Sequence, residues 1–252
     1  MNRRKFLAVA GSGAAGLVAS SLPLNASPEV RRFRTIVFDG FVIFDSRAVN
    51  KRVEEVVPER SAEFANLWRT RQFEYTWLRT AGQRYRDFWH VTEDALNYAA
   101  GTLKVSLSSD QRDRLMNIYL ELPVWPDVPD ALATFRRQGI KLAFLSNLTA
   151  KMLDANSSKN HIREFFEPHL TTDRVQAYKP SPQAYQMGVD AFGARRDEIV
   201  FAAFGGWDAA GAKWFGYPTV WVNRANATTE ELGVKPDVIS PDVSGLLRFI
   251  KQ

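Results

Sequence analysis

The sequence predicts an α/β fold built on a parallel sheet, with a helical cap domain inserted into it, and three observations carry that prediction. Short runs rich in β-branched and aromatic residues alternate with helical patterns that stop at glycine. One long stretch, from Arg47 to Leu122, is aromatic and helical throughout and holds no such run. The acids and polar residues best suited to chemistry fall at the carboxyl ends of the runs, where sheets of this kind bind their ligands.

Taken in order, Arg34-Thr35-Ile36-Val37-Phe38-Asp39 suits a buried strand that delivers a carboxylate at its end. It opens a core domain that spans 33–46 and resumes over 123–252. The cap fills 47–122, with Ser109 expected to cap a helix over Asp110 to Leu120. Pro129 to Gln138 reads as a helix stopped by Gly139, and Lys141 to Ser146 as the next strand. A helix from Ser181 to Phe192 stops at Gly193, and a strand follows over Glu198 to Ala203. A helix from Asp208 to Phe215 stops at Gly216, and Thr219 to Val222 is the last strand expected. Strand, helix, strand in this order makes a parallel sheet. No repeat, low-complexity tract or flexible linker sets the cap apart, so cap and core are expected to share one hydrophobic interface.

The 252 residues, 45% apolar and 24% charged, suffice for a large core and exclude disorder. The formal charge of +5 is concentrated at the start, where Arg3, Arg4 and Lys5 stand among 26 residues without an acid. Beyond them 30 basic residues face 28 acidic ones, too even a balance for a nucleic-acid or membrane footprint. The absence of cysteine removes disulfides, thiolate nucleophiles and cysteine metal sites. His90, His161 and His169 lie in no triad or zinc pattern, and each is expected to be structural.

The start of the chain reads as an export signal. Asn2-Arg3-Arg4-Lys5-Phe6-Leu7 precedes a weakly apolar run from Ala8 to Leu22, and Leu24-Asn25-Ala26 ends it with a small residue. The paired arginines resemble a twin-arginine signal, which implies export of a folded protein by that machinery, cleavage after Ala26 and a periplasmic location. Gly11, Gly13 and Gly16 make the run a poor membrane anchor, and no other segment reaches 18 uninterrupted apolar residues. The mature form is therefore expected not to be membrane-bound.

Four features converge on the carboxyl ends of the strands: Asp39, the pair Ser146-Asn147, Lys179 within Val175-Gln176-Ala177-Tyr178-Lys179-Pro180, and Asp208 after Gly205-Gly206-Trp207. This arrangement resembles the haloacid dehalogenase superfamily, whose core is a Rossmannoid parallel sheet. The stretch from Trp68 to Arg79, together with Arg84 to Trp89, Gly211-Ala212-Lys213 and Phe215 to Pro218, is similar to the type II 2-haloacid dehalogenases. The resemblance implies that Asp39 attacks the halogen-bearing carbon of a small 2-haloalkanoic acid and forms an ester that water hydrolyses. It implies that Lys179 holds positive charge beside the nucleophile and that Ser146 and Asn147 donate hydrogen bonds to the nucleophile and the substrate carboxylate. By the same resemblance Asp208 would orient or deprotonate the water, and Arg69 would receive the halide or orient the substrate. Phe41, Phe73, Phe88 and Trp207 fall where that family lines an apolar pocket. Taken singly, each has a plainer reading: a strand-end cap for Asp39, a surface lysine for Lys179, a turn for Ser146-Asn147, a helix cap for Asp208 and core packing for the aromatics.

The chain also departs from that family. After the nucleophile it has Phe41-Val42-Ile43-Phe44-Asp45, one residue short and without the hydroxyl usual there. Ala203-Phe204-Gly205 stands where Ser-Ser-Asn is typical, which removes two more polar contacts. A phosphatase of the same superfamily is the enzymatic alternative, but it needs a second aspartate where Phe41 stands and a Mg²⁺ site for which Asp208 alone is thin support. A binding protein that keeps the fold without turnover is the third reading. No cofactor and no metal is expected, and a homodimer is a possible assembly.

Overall fold

The computed structural model describes residues 33–251, so the expected export signal lies outside the described residues. Six strands form one parallel sheet: β1 (Thr35–Phe38), β2 (Lys141–Ser146), β3 (His169–Thr171), β4 (Ile199–Ala203), β5 (Thr219–Val222) and β6 (Val238–Ser240). Their order across the sheet is β3-β2-β1-β4-β5-β6. The order reverses at β1, so a crevice opens at its carboxyl end between the loops that follow β1, β2 and β4. Register fixes that geometry, since Phe38 lies beside Phe144 on one side and Ala202 on the other.

Ten α-helices accompany the sheet among the described residues: α1 (Gly40–Ile43), α2 (Arg47–Val56), α3 (Ser61–Ala81), α4 (Phe88–Leu103), α5 (Ser109–Asn117), α6 (Val128–Arg137), α7 (Ala150–Lys159), α8 (Pro182–Phe192), α9 (Gly206–Phe215) and α10 (Ser244–Phe249). The stretch from Arg47 to Leu122 is helical, as its pattern predicts. The chain leaves the sheet for it and returns side by side: Phe44 bridges Val124, and Asp45 N–H donates to the Pro123 carbonyl at 2.7 Å. The capping residue of α5 is Ser108 rather than Ser109, because the Ser108 hydroxyl and the Gln111 side chain satisfy each other's backbone N–H groups. That helix ends at Asn117 and tightens into a 3₁₀ turn over Ile118–Leu120. Helix α9 starts at Gly206, two residues ahead of the expected start, and its N-cap is Gly205, not Asp208. Strands β3 and β6 and helix α7 were not legible in the sequence pattern.

Because side chains alternate along a strand, β1 feeds two cores. Ile36 and Phe38 enter a large cluster that also holds Phe44, Phe144, Phe64, Trp68 and Leu96, and so runs from the sheet into α3 and α4. Val37 enters a second cluster on the opposite face with Leu145, Tyr185, Phe201 and Trp221. The shared interface expected from the lack of a linker is therefore present.

Candidate active site

Asp39 follows β1 directly, and its conformation is fixed twice. Its backbone N–H donates to the Ala202 carbonyl at 3.0 Å, and its side chain caps α1 by accepting from Phe41 N–H at 2.8 Å. The strand-end cap and the candidate nucleophile are thus one group, and the cap points the carboxylate outward from the sheet. Ser146 closes β2 next to it. Gly40 lies so near that a Cβ there would stand 2.9 Å from the Ser146 hydroxyl and 2.7 Å from Leu148, so only glycine allows the two loops this approach.

The chemistry centres on Lys179. Its ammonium is fully buried, 2.7 Å from Asp39 Oδ2 and 2.6 Å from Asp208 Oδ2. Burial alone would push this lysine down, but the charges and hydrogen bonds of the two carboxylates outweigh it and hold the ammonium above its ordinary range. Asp208, also buried, is pushed up to about 6, chiefly by burial, with Lys179 opposing and the charge of Asp39 adding to the shift. Two carboxylates around one ammonium leave a net charge of −1. The Tyr185 hydroxyl donates to Asp208 Oδ1 at 2.7 Å, and burial beside that carboxylate raises the tyrosine well above its usual value. Asn147 Oδ1 accepts from Lys179 N–H at 3.1 Å, which ties the loop after β2 to the lysine's backbone.

Above this triad lies a cavity of about 430 Å³. Asp39, Asp208, Ser146 and Asn147 form its floor, and Phe41, Phe73, Trp207 and Arg69 are in its wall. Phe73, Trp77 and Trp207 pack together with ring centroids 5.5 to 6.3 Å apart. A carboxylate nucleophile at the bottom of a largely aromatic cup can attack a small apolar carbon from which water is partly excluded.

Nine of the ten residues singled out from sequence therefore gather at one place, Lys179 beneath the cavity floor and the others on its lining. Phe88 does not line it. It is fully buried at the start of α4 and packs against Tyr178, so it supports the segment that carries Lys179 instead of facing the cavity. Ser146 Oγ accepts from Leu148 N–H at 3.1 Å, so the hydroxyl braces its own turn while lining the cavity. Sequence reasoning passed over Tyr185, which reaches Asp208 from α8. It also left out Trp77, which the spacing of four residues from Phe73 on one helix would have indicated. Glu74 and Glu230 complete the rim. Among the described residues no group of three or more His, Asp or Glu is placed to hold a metal ion.

Comparison with known proteins follows the same lines. The family described as haloacid dehalogenase-like hydrolases matches residues 33–216. An (S)-2-haloacid dehalogenase of Pseudomonas sp. (strain YL) is 41% identical over 203 residues, which covers 80% of this chain and 88% of that protein. Haloacetate dehalogenase H-2 of Moraxella sp. (strain B) is 33% identical and covers 88% of this chain and 99% of its own length. The structure of an L-2-haloacid dehalogenase from Xanthobacter autotrophicus with chloropropionic acid covalently bound superposes with a TM-score of 0.79 at 28% identity, over 87% of this chain and 98% of that one. With the match extending over most of its length, this chain belongs to the haloacid dehalogenase-like hydrolase family.

Proposed function

We propose that the protein is a hydrolytic dehalogenase of small 2-haloalkanoic acids that works through an ester on Asp39. The observation that carries this reading is the buried Asp39–Lys179–Asp208 triad beneath an aromatic cavity. In the first step a carboxylate oxygen of Asp39 attacks C2 of the substrate, and the carbon–halogen bond breaks with its electron pair leaving as halide. Lys179 keeps the carboxylate in place without touching the cavity, and Arg69, the cation in the wall, faces the departing anion. In the second step Asp208 takes a proton from water as the water adds to the Asp39 carbonyl carbon. Collapse of that adduct breaks the bond to the substrate oxygen, which takes up the proton and leaves as the 2-hydroxy acid. Asp39 then carries one oxygen from water and, on losing water's second proton to solvent, returns to a carboxylate.

The phosphatase reading ranks lower on a specific ground. The position of its second acid is held by Phe41, which packs against Phe204 and has no proton to give a leaving group. Single-turnover reaction of 2-chloropropionate in heavy-oxygen water tests the covalent route. The label is expected first in Asp39, and label that enters the product directly, with unlabelled protein, refutes it.

Export is a separate part of the proposal. The basic start, the weak apolar run and Ala26 support delivery to the periplasm by the twin-arginine route. Replacing Arg3 and Arg4 together by Lys is expected to trap precursor in the cytoplasm, and unchanged delivery counts against that route.

A further inference from the structure

A second chamber, of about 250 Å³, adjoins the catalytic cavity. Phe41, Arg69, Phe73 and Phe204 border both, so these side chains form the partition. The remaining wall includes Ser46, Arg47, Asn50, Trp125 and Arg224, and no acidic residue lies among those that line it. Arg47 and Arg224 both rest on the Trp125 ring, their guanidinium carbons 4.4 and 4.3 Å from its centroid. Each is held from outside the chamber, Arg47 by Asp45 and Arg224 by Asp127 and the Val42 carbonyl. Arg224 is nine-tenths buried, and its Nε hydrogen has no acceptor. Arg69 pairs with no carboxylate among the described residues, and its one hydrogen bond runs to Asn66 Oδ1 at 3.3 Å. With the other two arginines balanced pairwise, Arg69 leaves the chamber one positive charge in surplus.

We propose that this chamber is a halide site, to which the anion expelled in the catalytic cavity passes before it leaves the protein. The proposal rests on the dehalogenase reading for the source of the anion. Once Asp39 is an ester, Lys179 and Asp208 remain at the floor as a neutral pair, so a released halide finds no free positive charge there and is drawn to Arg69, whose guanidinium pairs with no carboxylate among the described residues. That guanidinium faces both cavities, and beyond it stand two more guanidinium groups whose weak hydration suits a weakly hydrated anion. Moving the halide behind the partition also separates it from the ester, so that it cannot attack C2 and reverse the first step.

Bromide tests the site without turnover, which keeps failure of this proposal distinct from failure of the catalytic reading. Crystals soaked in bromide, with no substrate present, are expected to show anomalous scattering in the chamber beside Arg47 and Arg224. In the Asn50→Asp variant, which puts an anion of equal size on an exposed position of the chamber wall, that signal is expected to vanish at the same concentration. In solution, bromide is expected to lower kcat without changing KM for 2-chloropropionate. Asn50→Asp should weaken that inhibition at least tenfold and leave the rate of ester formation in a single turnover unchanged. Scattering confined to the catalytic cavity, or inhibition that is competitive and unmoved by Asn50→Asp, overturns the proposal.

Discussion

Asp208 is the residue where burial and charge act against each other most directly. Its carboxyl titrates near 6 because burial and the Asp39 charge raise it more than Lys179 lowers it. Once Asp39 is an ester its charge is gone, and Lys179 then serves Asp208 alone. The acid needed to deprotonate water is therefore ionised more readily in the intermediate than in the free protein, and the acid limb of ester hydrolysis is expected below pH 6. Rapid quenching at steady state should find the fraction of esterified protein rising as pH falls through that limb, whereas a limb above 6 would mean that another group activates the water. Asp208→Asn is expected to form the ester at an undiminished rate and to hydrolyse it roughly 10²–10⁴-fold more slowly, the usual contribution of a general base. The intermediate then accumulates and can be weighed as the intact protein, and normal turnover by this variant would reduce Asp208 to a structural ligand of Lys179. Asp39, Lys179 and Asp208 were legible in the sequence because each follows or adjoins a recognisable motif. Tyr185 was not, since nothing in Pro182–Phe192 distinguishes a core tyrosine from one whose hydroxyl meets a carboxylate from α9.

At the scale of elements, the site depends on how closely α9 sits on α8 and on the segment after Lys179. Gly211 permits that approach, for a Cβ there would stand 2.5 Å from the Tyr185 hydroxyl and 2.6 Å from Pro180 Cβ. Gly211→Ala is expected to cost about 1–3 kcal/mol, the usual range for an overpacked core, and to push Tyr185 away from Asp208. Loss of that donor raises Asp208 further, so the acid limb of turnover should move to higher pH as the melting temperature falls. Unchanged values of both would mean that the helix can shift at no cost. The elements that sequence revealed are those with a strong local cause: β1, β2, β4 and β5 are apolar runs buried on both faces, and α6, α8 and α9 end on glycines at positive φ. Strands β3 and β6 have three residues each at the sheet edges, and pairing with β2 and β5, not any pattern of their own, makes them strands. The misplaced cap of α5 has a similar origin, since two adjacent serines are equivalent until Gln111 is seen to answer the first.

Across the whole molecule, the helical stretch is joined to the sheet by more than its two connecting strands. One apolar cluster runs from Phe38 and Phe144 to Trp68, Phe88 and Leu96, and Trp68 fixes α3 to α4 through its N–H to the Thr92 carbonyl at 2.8 Å. Helix α3, which supplies Arg69 and Phe73 to the cavity, cannot leave the sheet without exposing that cluster, which at about 25 cal/mol per Å² of apolar surface is a large cost. The chain is therefore expected to unfold in one step although it exceeds the size at which single transitions are the rule. Two substitutions test this from opposite ends: Phe144→Ala in β2, where the ring stacks on Phe44 and Phe166, and Leu96→Ala in α4. Each removes a fully buried side chain and is expected to cost about 2–5 kcal/mol. At roughly 2–4 °C per kcal/mol for a chain of this size, each should lower the melting temperature by several degrees. Tryptophan fluorescence and far-ultraviolet circular dichroism should move together in both variants, because tryptophans lie in the helical stretch and in the sheet alike. If Leu96→Ala splits the transition and leaves the sheet melting where it did, the helices fold as a separate unit, and the cavity between Asp39 and Arg69 is held closed by something weaker than a common core.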